Sequence, residues 1–242
     1  MRRLEEINFL LWWLGFGVFF TLIFPYLIFG FYFQPWIISI PDMIDLVLYP
    51  PIIGLVLYFL FEKLGGNEAP YGLRYIYILF LIIHFVGHGF HWSANAIHET
   101  LKHVEGSISA DALAYVYFLD EILSHKIMYY SFYAMLLTLL VIDIKYSDIS
   151  GRVDGLTMLS AILFGFSVMV SAIEGQSPFE AISMGIVVML LIVLTTKDRG
   201  TGFLKRKPLM FFMLLANIVL LTIAGAYWVV FGGFLEPSKV LK

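Results

Sequence analysis

The chain has no cysteine among its 242 residues, which excludes disulfides, thiolate nucleophiles and thiolate-bound metals. Charge is scarce as well. Asp, Glu, Lys and Arg make up 14% of the chain, against about 25% in soluble domains. The hydrophobic share is 60% and the mean hydropathy +0.88, more apolar surface than a globular core of this size can hide. A soluble enzyme is therefore excluded. A formal net charge of −3 with no basic stripe excludes nucleic acid as a partner. What remains is an all-α polytopic integral membrane protein whose first partner is the lipid bilayer.

A hydrocarbon layer about 30 Å thick takes roughly 20 apolar residues in a helix. The sequence predicts seven such spans within a single transmembrane domain, residues 1–242. They run from Asn8 to Phe33, Met43 to Phe61, Tyr71 to beyond His98, Ala110 to Ile144, Leu156 to Ile173, Phe179 to Thr195, and Leu209 to Phe231. Breakers separate them, including Gln34-Pro35, Gly65-Gly66-Asn67, Gly106-Ser107, Ser150-Gly151, Gln176-Ser177-Pro178 and Arg199-Gly200. Pro50-Pro51 should kink or restart the second span. The third and fourth spans exceed the bilayer, so their ends should project from it as a hairpin. Most of the 15 Lys and Arg residues fall on the amino-terminal side, at Arg2, Arg3, Lys63, Arg74, Lys145, Arg152 and from Lys197 to Lys207. Lys102, Lys239 and Lys242 fall on the other. The positive-inside rule then places the N-terminus in the cytoplasm and the C-terminus outside.

Five of the six histidines lie between His84 and His103. At about 100° per residue, His84, His88, His91, Asn95 and His98 share a stripe about 80° wide, and His103 falls off it. Ile83, Phe85, Phe90 and Ile97 form the opposite face. Intramembrane polar groups are costly and mark function by default, so four imidazoles on one stripe argue for a site. The spacings of His84, His88 and His91 suit imidazoles converging on one metal ion.

The next span carries Leu119-Asp120-Glu121-Ile122-Leu123-Ser124-His125. Glu121 and His125 are four apart and share a face. Asp120 is turned about 140° from His125 on a regular helix, so those two cannot serve one ion without a helix distortion. A hairpin apex near Gly106 places Glu121 level with His91 and His125 level with His88. His91 lies sixteen residues beyond Tyr75, about 24 Å along the helix and in the outer third of the bilayer. Glu174 ends the fifth span near that level, as a further ligand, a general base or a solvated helix-end residue. The candidate metal ligands are thus His84, His88, His91, His98, Glu121 and His125. The candidate proton-transfer groups are Asp120, Glu121 and Glu174.

Imidazoles with a carboxylate suit zinc or non-haem iron. Zinc with an open coordination position lowers the pKa of bound water to about 7, and a neighbouring carboxylate then moves the proton. An outward-open centre admits a lipid or another amphipathic molecule, which gives metal-assisted hydrolysis in the membrane. Three alternatives stay open. His84-x-x-x-His88-x-x-His91 is similar to a fragment of the histidine boxes of membrane iron oxidases. The fourteen-residue separation of His84 and His98 is similar to that of haem b ligands. A file of His, Glu and Asp also suits a metal-ion or proton transporter.

Phe90-His91, Ile97-His98-Glu99-Thr100-Leu101-Lys102 and Leu119-Asp120-Glu121 resemble the alkaline ceramidase branch of the seven-helix hydrolases that includes the adiponectin receptors. The resemblance is confined to residues 90–121. It implies a seven-helix fold with an inward N-terminus and a zinc-dependent lipid hydrolase. In that reading His91 or His98 is the early zinc ligand and Asp120 the acidic partner. The chain departs from the family pattern at its end. The family takes two zinc ligands from a His-x-x-x-His in its last helix, whereas no histidine follows His125 here.

Overall fold

The structure, a computed structural model, describes residues 2–24, 32–33, 38–102 and 109–235. The helices are α1 (Arg2–Leu22), α2 (Ile40–Val47), α3 (Tyr49–Lys63), α4 (Tyr71–Lys102), α5 (Ala110–Tyr117), α6 (His125–Lys145), α7 (Gly155–Glu174), α8 (Pro178–Arg199), α9 (Thr201–Leu204) and α10 (Pro208–Phe231). A π-helical segment, Phe118–Ser124, joins α5 to α6. Two strands of two residues each, β1 (Tyr32–Phe33) and β2 (Ile38–Ser39), pair antiparallel, Tyr32 with Ser39 and Phe33 with Ile38. Among the described residues five helices are long and apolar enough to cross a membrane: Tyr71–His98, Ala110–Lys145, Gly155–Glu174, Pro178–Arg199 and Pro208–Phe231. This is the build of an integral membrane protein.

The first two expected spans come out differently. α1 ends at Leu22, three residues before Pro25, and Tyr32 and Phe33 are extended rather than helical. Proline removes a donor and biases the residue before it away from helix, which accounts for the early stop. The second span is broken at Leu48. Pro50 and Pro51 sit in the first turn of α3, where a missing N–H costs nothing, so they start a helix instead of kinking one.

Small and hydroxyl residues set the packing. Ser160 on α7 donates to the Leu11 carbonyl at 2.9 Å, and Thr157 donates to the Asn8 carbonyl at 3.2 Å, which ties α1 to α7. On the other side of α7, a Cβ at Gly165 would lie 2.1 Å from the Ala216 carbonyl oxygen, so only glycine permits this approach to α10. At the amino-terminal end of the bundle, Arg3 bonds the Lys63 carbonyl at 2.8 Å and pairs with Asp148 at 3.0 Å. Asp143, fully buried on α6, accepts from the Met210 N–H at 3.2 Å, with Lys207 Nζ 3.9 Å away. Lys207 in turn donates to the Ser147 carbonyl at 2.6 Å. Burial pushes the Lys207 ammonium below the ordinary lysine range, and Asp143 opposes that shift. The first turn of α10 is thereby fastened to the end of α6.

Against this frame α4 packs along the α5–α6 rod, and one long face of α4 stays exposed through Ile78, Leu79, Ile82 and Val86. The histidine stripe is the face turned inward.

Candidate functional site

His91 and Asp120 form the centre. His91 Nδ1 lies 2.8 Å from Asp120 Oδ1, and Asp120 has no exposed surface. The two atoms are in ion-pair contact without the alignment of a hydrogen bond, and no hydrogen-bond donor among the described residues meets either Asp120 oxygen. The His125 ring stacks obliquely on His91, with centroids 4.5 Å apart. His125 Nδ1 faces the Glu121 carbonyl at 2.8 Å, and the Glu121 carboxylate lies 3.6 Å from the same nitrogen.

The π-helical segment makes this meeting possible. Asp120 and His125 are five residues apart, which puts them on different faces of an α-helix but near one face of a helix bonded i to i+5. The helix is thus distorted at the place where a regular one would keep Asp120 and His125 apart. Asp120 meets His91, and the Glu121 carboxylate lies beside His125. Such widened turns are rare and concentrate at functional sites.

The remaining candidates divide by depth. His84 and His88 sit below the centre with ring centroids 5.0 Å apart. His88 stacks at 4.4 Å on Tyr49, the first residue of α3. His84 Nδ1 lies 3.2 Å from the Met128 carbonyl and 3.4 Å from Ser131 Oγ, and its ring stacks on Phe132 at 5.3 Å. His98 lies above the centre with its ring 5.6 Å from that of Tyr117. Glu174 is the last residue of α7, and Gly175 beside it touches the centre: a Cβ at Gly175 would sit 2.9 Å from His125 Cε1. His103 and Gly106 lie outside the described residues.

Among the described residues no group of three or more His, Asp or Glu side chains is arranged to hold a metal ion. His91 and Asp120 are paired with one another, and His125 stacks on His91 with its own Nδ1 turned to the helix backbone. That orientation is the one a ligating histidine commonly takes, with one ring nitrogen on a carbonyl and the other directed at the ion.

Sequence reasoning did not single out Tyr49, Lys126, Gly175, Gln176 or Glu180. Lys126 pairs with Glu180 at 2.8 Å, and Gln176 donates to the Tyr117 hydroxyl. For Tyr49 the signal was its place before Pro50-Pro51, and for Gln176 its place in a breaker cluster. The contacts themselves join segments dozens of residues apart. Family models, curated proteins and solved structures yield no match to this chain.

Proposed function

We propose that the chain is a membrane-embedded, metal-dependent hydrolase of a lipid or amphipathic substrate, with zinc at a centre formed by His91, Asp120 and His125. The observation that carries this reading is the fully buried Asp120 carboxylate held 2.8 Å from His91 without a hydrogen bond between them. A buried carboxylate needs a counter-charge. With zinc bonds of about 2.0–2.1 Å, two ligands at a right angle stand about 2.9 Å apart, and at the tetrahedral angle about 3.3 Å. The His91–Asp120 spacing of 2.8 Å lies just below that range, so the two groups open slightly to take the ion between them.

A zinc ion there supplies Lewis acidity. The chain's own groups do the rest. Glu121, partly exposed beside His125, is placed to take and return a proton. The apolar bundle excludes water, and His98 with Tyr117 forms a polar mouth above. The resemblance to seven-helix zinc hydrolases points in the same direction. In this reading α1 and the α2–α3 pair complete seven spans, with the N-terminus cytoplasmic, the C-terminus outside and the centre near the outer face.

A second reading, transport of a metal ion or proton, is favoured by His84, His88 and Tyr49, which continue the polar file inward from the centre. One experiment separates the two. Full-length protein purified in detergent is analysed for metals, then assayed for fatty-acid release from amide- and ester-linked lipids in micelles and for zinc uptake in vesicles. Near-stoichiometric zinc with lipid hydrolysis supports the enzyme. Zinc flux without hydrolysis supports transport, and protein that takes up no zinc overturns the metal centre.

A further inference from the structure

The junction between α7 and α8 touches the α5–α6 rod at both ends of its π-helical segment. Before that segment, Gln176 Nε2 donates to the Tyr117 hydroxyl. After it, Glu180 Oε1 pairs with Lys126 Nζ at 2.8 Å. Between these ties Gly175 packs against the His125 ring, close enough that a Cβ would meet Cε1, Nδ1 and Nε2 at 2.9 to 3.1 Å. Residues 117, 125 and 126 bracket Phe118–Ser124.

Two local features of the junction run against ordinary preference. Gln176 has φ +49°, a left-handed conformation that glycine or asparagine normally takes at a helix end. Ser177-x-x-Glu180 has the sequence of a capping box, yet Ser177 makes no side-chain cap bond and Glu180 reaches to Lys126 instead. Both departures place side chains on the rod. The composition of Phe118–Ser124 does not itself require a widened turn, and helices of this kind are rare because the α form is ordinarily preferred. In that α form Asp120 swings about 140° from His125 and the centre comes apart.

We propose that the α7–α8 junction is a clamp that keeps Phe118–Ser124 π-helical, and that Gly175, Gln176 and Glu180 are positioning residues for the His91–Asp120–His125 centre. The inference rests on reading that centre as a metal site. The clamp gives the site a control point on an element that contributes no ligand: release of the junction straightens the rod and removes Asp120 from His91.

The test uses full-length protein in detergent, titrated with zinc and, for coordination geometry, with cobalt(II) followed by its visible absorption. Gln176→Gly removes the tie to Tyr117 while relieving the positive φ. It should keep thermal stability yet weaken zinc binding at least tenfold and alter the cobalt spectrum. Gly175→Ala and Glu180→Gln should weaken zinc similarly. Deleting Leu123 in the Gln176→Gly background should restore affinity, because Asp120 and His125 then stand four apart on a regular α-helix and need no clamp. Wild-type affinity and spectrum in Gln176→Gly and Glu180→Gln, or no recovery on deletion, overturns the proposal. Amide exchange over residues 118–124 is the metal-independent arm. If wild-type protein takes up neither ion, the metal reading fails and exchange alone decides: at least tenfold acceleration in Gln176→Gly upholds the clamp, and unchanged exchange overturns it.

Discussion

Asp120 and Asp143 are both carboxylates without exposed surface, and they are compensated differently. Asp143 has the Met210 N–H and the nearby Lys207 ammonium. Asp120 has the His91 ring, out of hydrogen-bond alignment. The first pattern belongs to a structural anchor, and in the proposed metal reading the second belongs to a group that takes a cation. Asp120→Asn should therefore abolish zinc binding while leaving thermal stability unchanged or raised, measured as metal content and melting temperature of the same preparation. His91→Ala and His125→Ala should also lose zinc. His84→Ala should retain it, because His84 is held by the Met128 carbonyl and Ser131, away from the centre. Loss of metal in His84→Ala would move the centre inward.

Among the elements, the α5–α6 rod shows how a single widened turn decides chemistry. Asp120 and Glu121 are adjacent, and in the widened turn Asp120 meets His91. The α10 terminus depends on a different interaction. Removing one partner of a buried ion pair costs roughly 3–5 kcal/mol. Asp143→Ala leaves Lys207 and the Met210 N–H without their acceptor, and should lower the melting temperature by about 6–20 °C at roughly 2–4 °C per kcal/mol. A calorimetric scan in detergent checks this, and zinc content should be unaffected because the pair sits at the far end of α6. A melting temperature within a degree of wild type would remove the anchoring role.

At the scale of the whole molecule, the proposed seven spans put the two chain ends on opposite sides. The absence of cysteine makes this easy to test, since any introduced thiol is the only one present. Gly202, at the α8–α10 turn, has nothing within 4 Å of a built Cβ, and Ala112 is exposed at the start of α5. In intact cells a membrane-impermeant maleimide should label Ala112→Cys and spare Gly202→Cys until the cells are opened. The reverse pattern would invert the proposed orientation, and the centre would then open to the cytoplasm.

Composition and periodicity by themselves determined the membrane class and the inward histidine stripe, and five of the seven expected spans are long apolar helices among the described residues, because burial in lipid and the 3.6-residue repeat act along one stretch of chain. They also showed that Asp120 and His125 require a distorted helix to share a face. The break at Leu48 and the stop at Leu22 are legible only in part, since prolines mark an interruption without saying whether the helix kinks, restarts or ends. Tertiary structure decided the pairing of His91 with Asp120, the stacking of His88 on Tyr49 and the closeness of Gly175 to His125. Each depends on a neighbouring helix supplying a surface, and on a widened turn that Phe118–Ser124 does not encode alone. Which side chains share a space is a property of the packed bundle, where a rotation of one residue exchanges one carboxylate for another.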